Sequence, residues 1–159
     1  MKMLLVSVCV FTPLQTMADW MPEPVPESEI WDCVTRSGSD WHAGAQCIGT
    51  FSNACIESSG AYDSIAVSQC KDAEMQGWDA ILNTAYNSLR ADLSAPDILP
   101  IAAEALKDAQ RAWIIFRDAE CVSRGNLTTG TGHFEDGADC LLRVTATRAL
   151  DLIGYGGTQ

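Results

Sequence analysis

The side chains with chemical potential stand in two runs. Glu74 and Asp79 lie in the first, Asp118 and Glu120 in the second. Two carboxylates facing each other across a cleft could serve as acid and base in glycoside hydrolysis. Arg111, Arg117, Arg143 and Arg148 occupy the same helical stretches, however, and carboxylates set among arginines form charge-assisted hydrogen bonds. Ion pairing is therefore expected, not catalysis. Serine and cysteine nucleophiles lack a base, because His42 and His133 both fall near loops. Gly125, Gly130, Gly132 and Gly137 are not followed by Gly-Lys-Ser/Thr, so they make no phosphate loop. No C-x-x-C occurs, and neither histidine stands at a zinc-type spacing from a cysteine. The expectation is a protein with no metal, no cofactor and no enzymatic activity.

The cysteines carry a different chemistry. The N-terminus has Lys2, an apolar run over residues 3–11 and the small residue Ala18 before Asp19. That is the pattern of a secretory signal peptide, too short to span a bilayer. Cys9 lies within the run behind Val8 and is not read as a lipidation site. Cleavage after Ala18 would leave 141 residues and, with Lys2 gone, take the net charge from −11 to −12. Six cysteines then remain: Cys33, Cys47, Cys55, Cys70, Cys121 and Cys140. An even number in an exported chain implies disulfides and a periplasmic or secreted location. Pairs close in sequence would be 33–47, 55–70 and 121–140, with the partners of the first two open to exchange. Each could add about 3 kcal/mol by restricting the unfolded chain.

Behind these residues stands a helical pattern. Pro22, Pro24 and Pro26 predict an extended, flexible arm, and Ser28 could cap a short helix to about Arg36. A second helix is expected from Asp40, long enough to put Cys47 and Cys55 near one face. Met75, Trp78, Leu82, Ala85, Tyr86, Leu89 and Leu93 step by three and four along a helix over about 67–93. Another is expected over about 97–124, with Pro100 in its first turn and a seam of Ile101, Ala105, Ala109, Trp113 and Phe116. Glu104 and Lys107, Asp108 and Arg111, and Glu120 and Arg124 stand at ion-pair spacings along it. A glycine- and threonine-rich loop over 125–137 leads to a last helix over about 134–153, which presents Ala138, Leu141 or Leu142, Thr145, Ala149 and Leu152 or Ile153 along one face. The fold class is all-α: a small antiparallel bundle stapled by disulfides, with a short helical N-terminal extension. The divisions expected are a signal peptide over 1–18, an arm with short disulfide-linked helices over 19–64, and a helical domain over 65–159.

Three segments carry a resemblance. Glu74-x3-Trp78-Asp79-x2-Leu82-Asn83-x2-Tyr86-x2-Leu89, the run A-Q-R-A-W-I-I-F-R-D-A-E-C at 109–121, and Cys140-Leu141-Leu142 with Thr145, Thr147-Arg148 and Leu152 occur in order. Over about 65–153 the chain resembles the LprI-type lysozyme-inhibitor domain family. The resemblance implies an exported bacterial protein that binds lysozyme, and it makes Glu74, Trp78, Asn83, Tyr86, Gln110, Arg111, Trp113, Arg117 and Asp118 structural motif residues. Trp113 and Phe116 are expected in the core, and Arg111, Arg117 and Asp118 in an internal charge network.

With 10 basic and 21 acidic side chains, the chain is unsuited to nucleic acid and suited to a basic partner. No segment after the leader is apolar enough for stable membrane insertion. The loop closed by Cys121 and Cys140, with Asn126, Thr128, Thr129 and His133, is the candidate binding surface. The alternative is a periplasmic structural or interaction module with some other partner. Oligomeric state is left open.

Overall fold

Asp63 begins the longest helix, its carboxylate accepting hydrogen bonds from the Ile65 and Ala66 amides at 3.1 and 3.0 Å. The computed structural model describes residues 21–38, 41–60 and 62–156, with the backbone alone at Trp41 and His42. The expected signal peptide with Cys9 and Ala18, the residues Asp19 and Asp40, and the His42 side chain lie outside the described residues. In chain order the helices are α1 (Glu27–Arg36), α2 (Thr50–Ser59), α3 (Ser64–Asp92), α4 (Ile101–Gly125) and α5 (Gly132–Gly156), with a 3-10 helix, Trp41–Cys47, before α2. No strand occurs among the described residues. The architecture is all-α, held by the disulfides Cys33–Cys47, Cys55–Cys70 and Cys121–Cys140.

The core lies where α3 packs along α5, the most extensive contact in the molecule. Trp78, Ile81, Leu82, Ala85 and Leu89 of α3 meet Leu142, Ala146, Ala149, Leu150 and Leu152 of α5, with Ile30 and Val34 of α1 closing one side. The small residues of α5 admit the large ones of α3. The expected stripes of these two helices are the observed ones.

Elsewhere the sequence reading needs correction. The N-terminal arm is extended but pinned, because the Val25 amide donates to the Ala73 carbonyl at 3.0 Å. Gly77 permits this crossing: a Cβ there would come within 2.5 Å of the Val25 carbonyl oxygen. Ser28 caps nothing, since Pro26 occupies the cap position of α1 without a side-chain bond. The helix expected from Asp40 is broken at Gly49, whose φ of +88° is open chiefly to glycine. Cys47 and Cys55 therefore lie on different elements. The loop after α4 is shorter than expected, because α5 already begins at Gly132.

The largest correction concerns α4. Its inward row is Ala103, Leu106, Gln110, Trp113, Arg117, Cys121 and Gly125, whereas Ile101 and Phe116 of the expected seam are 72% and 58% exposed and Ala105 and Ala109 are also exposed. The reason is polar pairing. Gln110 accepts a hydrogen bond from Arg148 Nε at 3.1 Å, and Arg117 lies over the Trp113 ring at 5.2 Å with Asp79 and Asp118 at 3.7 and 2.9 Å. Trp113 is half-buried against the core. Arg111 is exposed and pairs only with Asp108, one turn away at 3.9 Å. The expected internal network thus reduces to Arg117, with Asp79 and Asp118 as its acceptors.

Two buried polar groups behave oppositely. Glu74 is fully buried; Oε1 accepts from the Gly49 amide at 2.8 Å and Trp78 Nε1 at 3.0 Å, and Oε2 from the Ser52 amide at 2.7 Å. Gly49 offers α2 no side-chain cap, so a carboxylate from α3 performs both halves of a capping box. The ion pairing expected for Glu74 is replaced by these N–H donors. Thr145 Oγ1, also fully buried, has no hydrogen-bond partner among the described residues. Glu74→Ala should cost roughly 3 kcal/mol or more, because it orphans three buried donors. Thr145→Val should be neutral or stabilise by about 1 kcal/mol. Chemical denaturation of both variants checks the contrast.

Candidate functional site

The Cys121–Cys140 disulfide joins the end of α4 to the start of α5. Gly125 and Gly137 let the two backbones approach: a Cβ on Gly125 would lie 3.0 Å from the His133 carbonyl oxygen. The residues between, 126–131, are projected as a short tight loop. Its tip holds Leu127, which is 83% exposed, and Gly130 at a φ of +69°. The Thr128 hydroxyl donates to the Asp136 carboxylate. His133 Nδ1 lies 2.6 Å from the Gly130 carbonyl oxygen, and its ring centroid sits 3.8 Å from that of Phe134.

Two recesses flank this loop. On the α3 side an open cleft of about 460 Å³ is lined by Ser68 and Asp72 of α3, by Asp118, Val122 and Gly125 of α4, and by Phe134, Ala138 and Leu141 of α5, with Asn126 and His133 at the loop end. On the other side a recess of about 510 Å³ is bordered by Arg124, Leu127, Thr128, Asp136, Asp139 and Arg143. Asn126 and His133 are thus brought together, Thr128 lies across the loop from them, and Thr129 is exposed. The structure does not make one surface of all four.

Of the motif residues, Glu74 and Trp78 are buried, Gln110 is buried against Arg148, Tyr86 is half-buried and Asn83 is exposed, donating to Asp79 at 3.0 Å. Asp118 has a second aspect: besides meeting Arg117, it lines the cleft. Glu74 and Asp118 do not face each other across a cavity, because Glu74 is sealed among amides and only Asp118 borders the cleft.

Asp72 is the residue sequence reasoning missed. It is half-buried, has no hydrogen-bond or ion-pair partner among the described residues, and burial pushes its carboxyl above the usual value. A local signal existed: Ser68, Gln69, Met75 and Gln76, at its i±3 and i±4 positions, include no cation. The adjacent Lys71 reaches Asp139 at 3.2 Å and Glu135 at 3.6 Å instead. Asp139 shows the opposite balance: partial burial pushes it upward, but hydrogen bonds and charges from Arg143 and Lys71 outweigh this and hold it low. The described residues hold no group of His, Cys, Asp and Glu able to bind a metal ion, and no helix long and apolar enough to cross a membrane.

With this geometry in hand, the comparisons with known proteins are decisive for kinship. Residues 55–152 match the family described as Lysozyme inhibitor LprI. The chain belongs to this family. The match begins at Cys55 and so takes in the Cys55–Cys70 staple, ten residues before the expected boundary at 65. The chain is also 36% identical over 93 residues to an uncharacterized protein of Rhizobium meliloti (strain 1021), the alignment covering 52% of this chain and 66% of that protein, just under two thirds of its length. No solved structure matches.

Asp72 yields a pH test. Its raised folded-state pKa means that the native chain binds the proton first as pH falls, so its destabilising contribution is present at neutral pH and relieved through the carboxylate range. Asp72→Asn should therefore be more stable than the parent at pH 7, the difference shrinking as pH falls below the raised pKa. Thermal unfolding of both proteins from pH 7 to pH 3 checks this; a gain that grew on acidification would refute it.

Proposed function

We propose that this chain is an exported cell-envelope protein that binds lysozyme and inhibits it by occlusion, without catalysis of its own. The observation that carries the reading is the family match over 55–152. Three disulfides support an oxidising, extracytoplasmic compartment. In this reading residues 1–18 act as the signal peptide, cleaved near Ala18, and residues 19–64 complete the scaffold of the helical domain that follows.

The physics of such an interaction is consistent with the surface. A net charge of −11 steers the chain toward a basic protein and raises the association rate at low salt. The loop 126–131, braced by Cys121–Cys140 and tipped by Leu127, is small enough to enter an enzyme cleft while its base stays rigid. A braced loop loses little conformational entropy on docking. Asn126, Thr128, Thr129 and His133 supply polar groups around the tip.

Titrating the purified protein against several lysozymes tests the proposal, with turnover and complex formation both measured. Inhibition weakening with salt is expected; neither inhibition nor a complex at low salt would sink the reading. Replacing residues 127–131 with a Gly/Ser segment of equal length should weaken inhibition by about tenfold or more, as loss of a central contact does. Unchanged potency would move the binding surface elsewhere.

A further inference from the structure

We propose that the cleft between α3, α4 and α5 receives a single lysine or arginine side chain of a basic partner protein, its cation paired by Asp72 and its aliphatic stem laid along Val122, Phe134 and Leu141. This rests on the proposed function in taking the same end of the molecule as the binding surface, and it specifies what the partner must present.

Three features carry the assignment. Asp72 is a half-buried carboxylate with no partner among the described residues, and a charge held partly out of water without a counter-ion is costly until one arrives. The cations near the cleft are already engaged: Lys71 with Glu135 and Asp139, Arg117 with Asp79 and Asp118. Among the described residues, no cation of the chain pairs with Asp72 in the cleft.

The walls define the rest of the ligand. Val122 and Phe134 are 65% and 48% exposed, and with Ala138 and Leu141 they make an apolar surface beside the carboxylate. Long basic side chains suit such a site, burying methylenes while the charged head finds its partner. An anion is repelled by the unpaired carboxylate of Asp72. A free amino acid is disfavoured as well, because its own carboxylate would meet Asp72 and a chain of net charge −11. A side chain presented by a protein carries no such group.

The cleft can be probed without lysozyme. N-acetyl-arginine amide and N-acetyl-lysine amide, titrated at millimolar concentration into isotope-labelled protein, should shift the amide resonances of Asp72, Val122 and Leu141. The neutral N-acetyl-norleucine amide should not, and Asp72→Asn should abolish the response without lowering the unfolding midpoint. In the lysozyme titration, Asp72→Asn should weaken the complex by about tenfold, while Asp108→Asn, an equal charge loss on the exposed side of α4, should change it less than about twofold. Arginine-induced shifts in a protein that forms no lysozyme complex would retire the lysozyme reading and uphold the cleft. A lysozyme complex indifferent to Asp72→Asn, together with no shifts from either cationic probe, would overturn the cleft and leave the lysozyme reading standing.

Discussion

A single carboxylate joins α2 to α3. Glu74, buried in the middle of the molecule, accepts from the amides of Gly49 and Ser52 and from the Trp78 indole. A helix N-terminus carries unsatisfied N–H groups and a partial positive charge, and α2 has no local side chain to meet them. Glu74 meets them from α3. The burial cost of the charge is offset by three N–H donors, each of which finds its acceptor in Glu74. The disulfides Cys33–Cys47 and Cys55–Cys70 bracket this contact, tying α1 to the 3-10 helix and α2 to α3. Val25 crossing Gly77 completes the clamp. Helix α1 and the 3-10 helix thus join the same core as the family-matched segment, with Ile30 and Val34 packed beside Trp78.

On another side of α3 the packing leaves a surface. Helices α3 and α4 barely touch; each leans on α5. The gap between them, closed at the loop by Cys121, Gly125 and His133, is the acidic cleft. The inward row of α4 holds Gln110 and Arg117, which satisfy their polar groups against Arg148, Asp79 and Asp118. One face of α3 is sealed by the hydrogen-bonded Glu74. Another, two residues away, keeps the unpaired Asp72 in a recess.

The amino-acid pattern alone determined the helical class, the inward faces of α3 and α5, and the segments that carry the family likeness, because each is a local matter of periodicity and motif. Trp78, Leu82 and Leu89 step along one face whatever they pack against. The face of α4 was not legible in this way: hydrophobicity favours Ile101 and Phe116, but the tertiary structure turns Gln110 and Arg117 inward, where Gln110 meets Arg148 of α5 and Arg117 reaches Asp79 of α3 as well as its neighbour Asp118. The break at Gly49 and the role of Glu74 were hidden for the same reason, since the cap of α2 is supplied by another helix. Asp72 lay between the two cases. Its lack of a helical counter-ion is written in the sequence, but that it lines a cleft opposite Asp118 was decided only when α3 and α4 came to rest on α5.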